Sequence, residues 1–181
     1  MAQPVEFDSN SDGSVSAYPE KTPSIKVRQL LLSEILTKAH KAKTKPEKVK
    51  ILREEDCSAL RQICKWSYDP KIESELPSGI PPFVPNEAPE GTEHMLLRTE
   101  GNKLWHYVKI NGKSANPNIQ STVRERMFIR LLEGLHKDEA NLLVLVKDNK
   151  LGVDKIGYKG LSIPVVMEAF GWDDDFKKKD V

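Results

Sequence analysis

Apolar residues at Ile25, Leu31, Ile35 and Ala39, with Leu32 and Leu36 beside them, recur at three- and four-residue spacing, which predicts a first helix over about 25–42. Thr44 with Glu47 three residues on reads as a capping box, and Pro46 suits a first helical turn, so a second helix should carry Val49 and Leu52 inward. Asp56 is placed to cap a third helix through Ala59, Leu60, Ile63 and Trp66, ending before Asp69-Pro70. In the second half, Leu104, Trp105, Tyr107, Val108 and Ile110 suggest a helix ending near Asn111-Gly112. Thr122 with Glu125 offers another capping box ahead of Val123, Met127, Phe128, Leu131, Leu132 and Leu135, with Gly134 at the stop. Asp138 and Glu139 then precede Leu142–Val146, and Ser162-Ile163-Pro164 opens a last short helix carrying Val165, Val166 and Phe170 up to Gly171.

No stretch alternates clearly enough to predict a sheet. Pro77, Pro81, Pro82, Pro85 and Pro89 fall close together, each removing a backbone donor, so residues 76–92 read as an extended, polyproline-like strap. The expected fold class is mainly α: a single helical domain at 24–172, built of two helical halves joined by that strap, with disordered termini. Residues 1–23 carry Glu6, Asp8, Asp12 and Glu20 against Lys21 and almost no large apolar side chains, which marks an acidic, disordered arm. Residues 173–181 form a charged tail in which only Phe176 is able to dock.

Composition narrows the class. With 38% hydrophobic and 30% charged residues in 181, the chain suits one modest core. Leu142–Val146 is far short of the roughly 20 apolar residues that span a bilayer, and the opening MAQPVEFDSN has neither a basic start nor an apolar core, so neither a membrane segment nor a secretory signal is expected. The net charge is only +1, yet Lys26, Arg28, Lys38, Lys41, Lys43, Lys45, Lys48, Lys50 and Arg53 face only Glu34 and Glu47 within 26–53. Such a concentration of cations suits a phosphate backbone, because cations tracking a polyanion release its condensed counterions. That run contains no aromatic residue, so contact there should fix position without reading bases.

Other chemistries find little support. Cys57 and Cys64, seven apart, read as a reduced, buried pair, and His40, His94, His106 and His136 show no ligand spacing with them, so no metal is expected. Asp8-Ser9-Asn10-Ser11-Asp12-Gly13 opens like a calcium loop, but Pro19 stands where the closing bidentate acid belongs. Gly152 to Lys159 lacks the G-K-[ST] of a phosphate loop, and no nucleophile elbow or H-E-x-x-H helix occurs. Trp66, Trp105, Trp172, Tyr68 and Tyr107 read as core residues rather than stacking platforms. No catalytic residue and no cofactor are expected.

Leu31–Leu36, the basic turn to Ile51-Leu52, Ser58–Trp66, Asp69-Pro70, Ala88–Thr92, Leu132–Ala140 and Tyr158–Leu161, in that order, resemble a family of small, functionally uncharacterised proteins of tailed phages, including T4-like phages and cyanophages. The resemblance covers about residues 30–172. The same order of elements is similar to the N-terminal DNA-binding domain of phage ATP-dependent DNA ligases, an all-helical module that grips duplex DNA through its backbone. The ligase K-x-D-G motif is absent, and its nearest echo, Asn10-Ser11-Asp12-Gly13, has no lysine nucleophile. These resemblances imply DNA binding without ligation, in the host cytoplasm or the virion. The resulting expectation is a non-catalytic phage accessory protein that contacts the phosphate backbone of nucleic acid through Lys38, Lys41, Lys43, Lys45, Lys48 and Lys50. The alternative is a protein–protein adaptor or virion component whose basic face meets an acidic protein partner.

Overall fold

In the computed structural model, which describes residues 29–89, 92–153, 155 and 157–179, the helical periodicities become seven α-helices among the described residues. The first is α1 (Leu32–Lys41), whose Leu32, Ile35, Leu36 and Ala39 are buried as their spacing predicts. The acidic arm, the Asp8–Gly13 loop and positions 25–28 of the predicted helix lie outside the described residues, and Gln29–Leu31 precede the helix instead of forming its first turn. Helix α2 (Lys45–Glu54) begins as its capping box predicts, with Glu47 N–H donating to Thr44 Oγ1 and Thr44 N–H donating to the Glu47 carboxylate at 3.1 Å. That bond holds the Glu47 carboxyl below its usual value. Helix α3 (Ser58–Tyr68) departs from expectation at its start. Cys57, not Asp56, occupies the N-cap, its sulfur accepting from Leu60 N–H, while Asp56 pairs with Arg61 at 2.9 Å. The expected buried cysteine pair therefore separates into a cap and a core residue, Cys64, whose thiol burial pushes up to about 12.

The fold is mainly helical as expected, but a small sheet stands where the sequence pattern predicts none. Strand β1 (Ile72–Ser74), strand β2 (Val108–Ile110) and strand β3 (Lys113–Ser114) pair antiparallel in the order β1-β2-β3, with Ile72 opposite Ile110 and Ile110 opposite Lys113. The helix predicted through Ile110 stops at Tyr107, where a 3-10 segment, Gly101–Tyr107, follows the short helix α4 (Leu97–Glu100). Asn111 and Gly112 both take positive φ, 53° and 74°, the backbone of a two-residue hairpin turn that reverses the chain at once. The three-residue repeat of the 3-10 segment turns Leu104 and Tyr107 inward and leaves Trp105 outside, its ring tilted against His106 at 3.9 Å between centroids. Trp105 thus departs from the core reading that Trp66, Trp172 and Tyr107 fulfil.

Helices α5 (Ser121–Gly134), α6 (Lys137–Lys147) and α7 (Ile163–Phe170) complete the fold, α7 ending on Gly171 in the left-handed conformation. One hydrophobic core runs from Leu32 to Phe176, and α2 packs on α7 while α1 and α3 pack on α6, so the two expected halves interlock. The strap lies along α5 and α6. The buried Lys147 ammonium donates to Pro77 O at 2.7 Å and to Asp148 Oδ1 at 2.5 Å, while Gly79 N–H donates to Asp148 Oδ2 and Val84 N–H to Glu133. Burial works against the Asp148 charge, but these donors outweigh it and hold the carboxyl below its usual value. Buried Arg124 of α5 pins the sheet in the same way, pairing with Glu75 at 2.6 Å and donating to His106 O and Asn116 O. At the opposite side, the buried Glu139 carboxylate accepts from Leu32 N–H at 3.0 Å and Leu97 N–H at 3.1 Å, so the starts of α1, α4 and α6 converge on one acid.

Candidate nucleic-acid interface

The lysine run of the sequence is divided by the fold into cations that hold the protein together and cations that face outward. Lys48 does not stand on the outer surface: it is buried, and its ammonium donates to Ala39 O at 3.0 Å and His40 O at 3.2 Å, two carbonyls left without partners at the end of α1. Lys45 pairs with Glu168 of α7 at 2.6 Å, which holds that carboxyl below its usual value, and Arg53 donates to Glu168 O and Ala169 O at the end of α7. Lys50 approaches Glu54 one turn along α2, at 3.8 Å. Lys38, Lys41 and Lys43 are exposed at the corner between α1 and α2, and among the described residues no carboxylate stands in salt-bridge contact with any of them.

The corner is built stiffly. Lys48 ties α2 back to α1, the Thr44–Glu47 box fixes the turn, and a second segment braces it from outside. The Lys159 carbonyl lies 3.0 Å from His40 Nδ1, and because a carbonyl can only accept, the ring carries its proton on Nδ1. Gly160, at φ 82°, passes so close to Lys48 that a Cβ there would stand 3.2 Å from the ammonium nitrogen. Tyr68 O–H donates to Leu161 O and anchors the far end of the same segment, and Tyr158 meets the His40 ring edge-on.

Beside the corner, α1, α6 and the 157–158 segment enclose an open groove of about 740 Å³. Lys38 and Lys41 stand on its α1 side with Glu34, His40, Ser33 and Thr37; Asp138 and Asn141 stand on its α6 side; Leu142, Leu145 and Tyr158 supply apolar surface. Burial pushes the Tyr158 hydroxyl up to about 12, so it stays protonated at neutral pH. Ser33 is 3% exposed, and its Oγ has no hydrogen-bond partner. Among the described residues no three His, Cys, Asp or Glu side chains converge on a metal position.

Of the six lysines the sequence brings forward, the fold leaves Lys38, Lys41 and Lys43 exposed at the corner, buries Lys48 and sets Lys45 and Lys50 beside Glu168 and Glu54. The sequence does not bring forward Asp138, Asn141 or Tyr158, because no spacing rule connects residues about a hundred positions apart. Only the helical period of α1 and α6, combined with their packing, makes them neighbours.

A model of a family of unknown function (DUF6433) matches residues 35–153, well over half of the chain. The chain belongs to this family. The span matched by DUF6433 runs from within α1 to just beyond α6, so it takes in the basic corner and both helical walls of the groove, and leaves Tyr158 and α7 outside. No curated protein and no solved structure matches the chain. No helix among the described residues is long and apolar enough to cross a membrane.

Proposed function

We propose that the protein binds the phosphate backbone of nucleic acid, duplex DNA first, through the corner between α1 and α2, as a non-catalytic phage accessory protein acting in the host cytoplasm. The observation that supports this most is the separation of cations. Lys45, Lys48 and Arg53 are engaged in holding α1, α2 and α7 together, whereas among the described residues no carboxylate stands in salt-bridge contact with the exposed Lys38, Lys41 and Lys43 side chains, on a turn fixed by the Thr44–Glu47 box and by Lys48. Clustered ammonium groups on a fixed scaffold gain counterion release on meeting a polyanion, while giving no base-specific readout.

The test is binding of a labelled 20-base-pair duplex across a salt series. The logarithm of the association constant should fall with log salt at a slope of about −0.9 for each phosphate contact, and Lys38→Glu, Lys41→Glu and Lys43→Glu together should flatten it. Wild-type protein that retains no duplex at low salt, where screening is weakest, overturns the reading. A second reading, an adaptor that docks through the strap instead of the basic face expected from the sequence, draws on Ile80 and Val84, which stand 80% and 74% exposed there. It requires a protein partner whose capture is lost on Ile80→Ser with Val84→Ser and is indifferent to the three lysines.

A further inference from the structure

We propose that residues 81–87 of the strap are a preformed ligand for a protein domain that reads polyproline II helices, one whose cleft is lined with aromatic rings and closed at one end by a basic side chain. This rests on the adaptor reading above, whose partner it specifies, and it is independent of the basic corner.

The conformation comes from the prolines. Pro81, Pro82 and Pro85 each hold φ near the polyproline II value, and the residues before them, Ile80, Pro81 and Val84, are kept out of the helical region by the ring that follows. Residues 80–85 contain no helix, no strand and no positive φ. At about three residues per turn the segment has three ridges: Pro81, Val84 and Glu87 on one, Pro82 and Pro85 on the next, Phe83 and Asn86 on the last. The fold uses the last. Phe83 packs on the hydrophobic core, and Asn86 forms a bridge to His136 at the start of α6. The other two ridges face away from the body: Pro82, Val84, Pro85 and Glu87 are exposed and Pro81 is half-buried. Ile80, next to the turn at Gly79, is exposed as well and extends the apolar surface ahead of Pro81.

That division is the one a polyproline-reading cleft needs. Such a cleft takes two apolar–proline pairs into neighbouring aromatic slots and leaves the residue between them outside. Pro81-Pro82 and Val84-Pro85 are two such pairs, and Phe83, the residue between, is already turned into its own protein. The prolines have no N–H, and among the described residues no hydrogen bond reaches the carbonyls of residues 80–84, so the backbone there offers acceptors alone. The O–H and N–H groups of Tyr and Trp along an aromatic cleft are donors that fit them. The strap is also fixed in advance. Val84 N–H donates to Glu133 at 3.3 Å and Gly79 N–H to Asp148 at 3.1 Å, so little ordering entropy remains to be lost on binding. Glu87 follows Val84 one turn along the same ridge, where its carboxylate repels an acidic pocket and pairs with a basic one.

The probe is one SH3 domain in two forms, with the acidic pocket that lies beside its proline slots and with the acids of that pocket changed to Lys. Titrated with the full chain, the charge-reversed form should be bound at least roughly tenfold more tightly than the acidic form, and Glu87→Lys should reverse that order. Pro82→Ala with Pro85→Ala should abolish binding to both forms. Circular dichroism and thermal midpoints of the variants show that each is folded. Absence of binding to both forms at about 1 mM, or binding that survives Pro82→Ala with Pro85→Ala, overturns the proposal. Binding indifferent to Glu87→Lys overturns the basic end of the cleft. A protein partner lost on Ile80→Ser with Val84→Ser but kept by Pro82→Ala with Pro85→Ala overturns the polyproline reading while the adaptor reading stands.

Discussion

Lys41 and Lys48 stand in one basic run and meet opposite fates, and the difference lies in which side of its helix each occupies. Lys48 shares the inward side of α2 with Val49 and Leu52, so its stem is buried and its ammonium closes the end of α1. Lys48→Met keeps the stem and removes both bonds, which should lower the unfolding free energy by about 1–3 kcal/mol in urea denaturation, whereas Lys41→Glu should stay within about 0.5 kcal/mol. Charge counting along the sequence cannot make this distinction, because Lys48 is polar by type and core-facing by position. Glu139 is the matching case of opposite sign. Burial pushes its carboxyl above the ordinary value, against the pull of the Leu32 and Leu97 N–H groups. A carboxyl raised in the folded state contributes most below its unfolded value, near 4.5, and loses that contribution as pH rises through the folded value. Glu139→Gln removes this titration, so the stability of the native protein relative to the variant should increase as pH falls from neutral toward 4.5. At neutral pH the variant should lose about 1–3 kcal/mol, since a carboxamide can accept from one of the two N–H groups while its own N–H₂ opposes the other.

At the scale of elements, what could be read in advance is what local chemistry decides. The Thr44–Glu47 box, the stop of α3 before Asp69-Pro70, and the Ser162 start and Gly171 stop of α7 each need only their near neighbours, and all stand where the spacing puts them. Leu131 and Leu132 are both buried on α5 as the helical period requires, and Leu132→Ala should cost about 2–5 kcal/mol, read from the urea midpoint. The three-stranded sheet was not legible because its strands are two or three residues long, too short for an alternation to register, and because β1 finds β2 from across the strap. Asn111-Gly112 carried the only local sign of it, and that dipeptide serves equally as a helix stop. The groove was illegible for the same reason on a larger scale: α1 supplies one wall and α6 the other, and its charge pattern exists only after they pack.

Taken whole, the described residues are held by contacts that reach far along the chain. Phe176 of the charged tail is buried against Trp172, and Asp175 reaches Lys71 at 2.5 Å, so removal of residues 173–181 should lower stability by roughly 3 kcal/mol, the order of losing one buried phenylalanine, measurable as a drop in the thermal midpoint. The basic corner depends on contacts of the same reach. α1 waits for Glu139, 107 residues later, to accept from its first N–H, and α2 waits for the end of α7, 115 residues beyond Arg53, to give Arg53 its carbonyls. On a ribosome adding about 5–20 residues per second, the lysines emerge on the order of ten seconds before the contacts that fix their geometry exist. For that interval the nascent chain carries the charge of the basic corner without its shape, and the corner takes its fixed geometry only once α7 has been made.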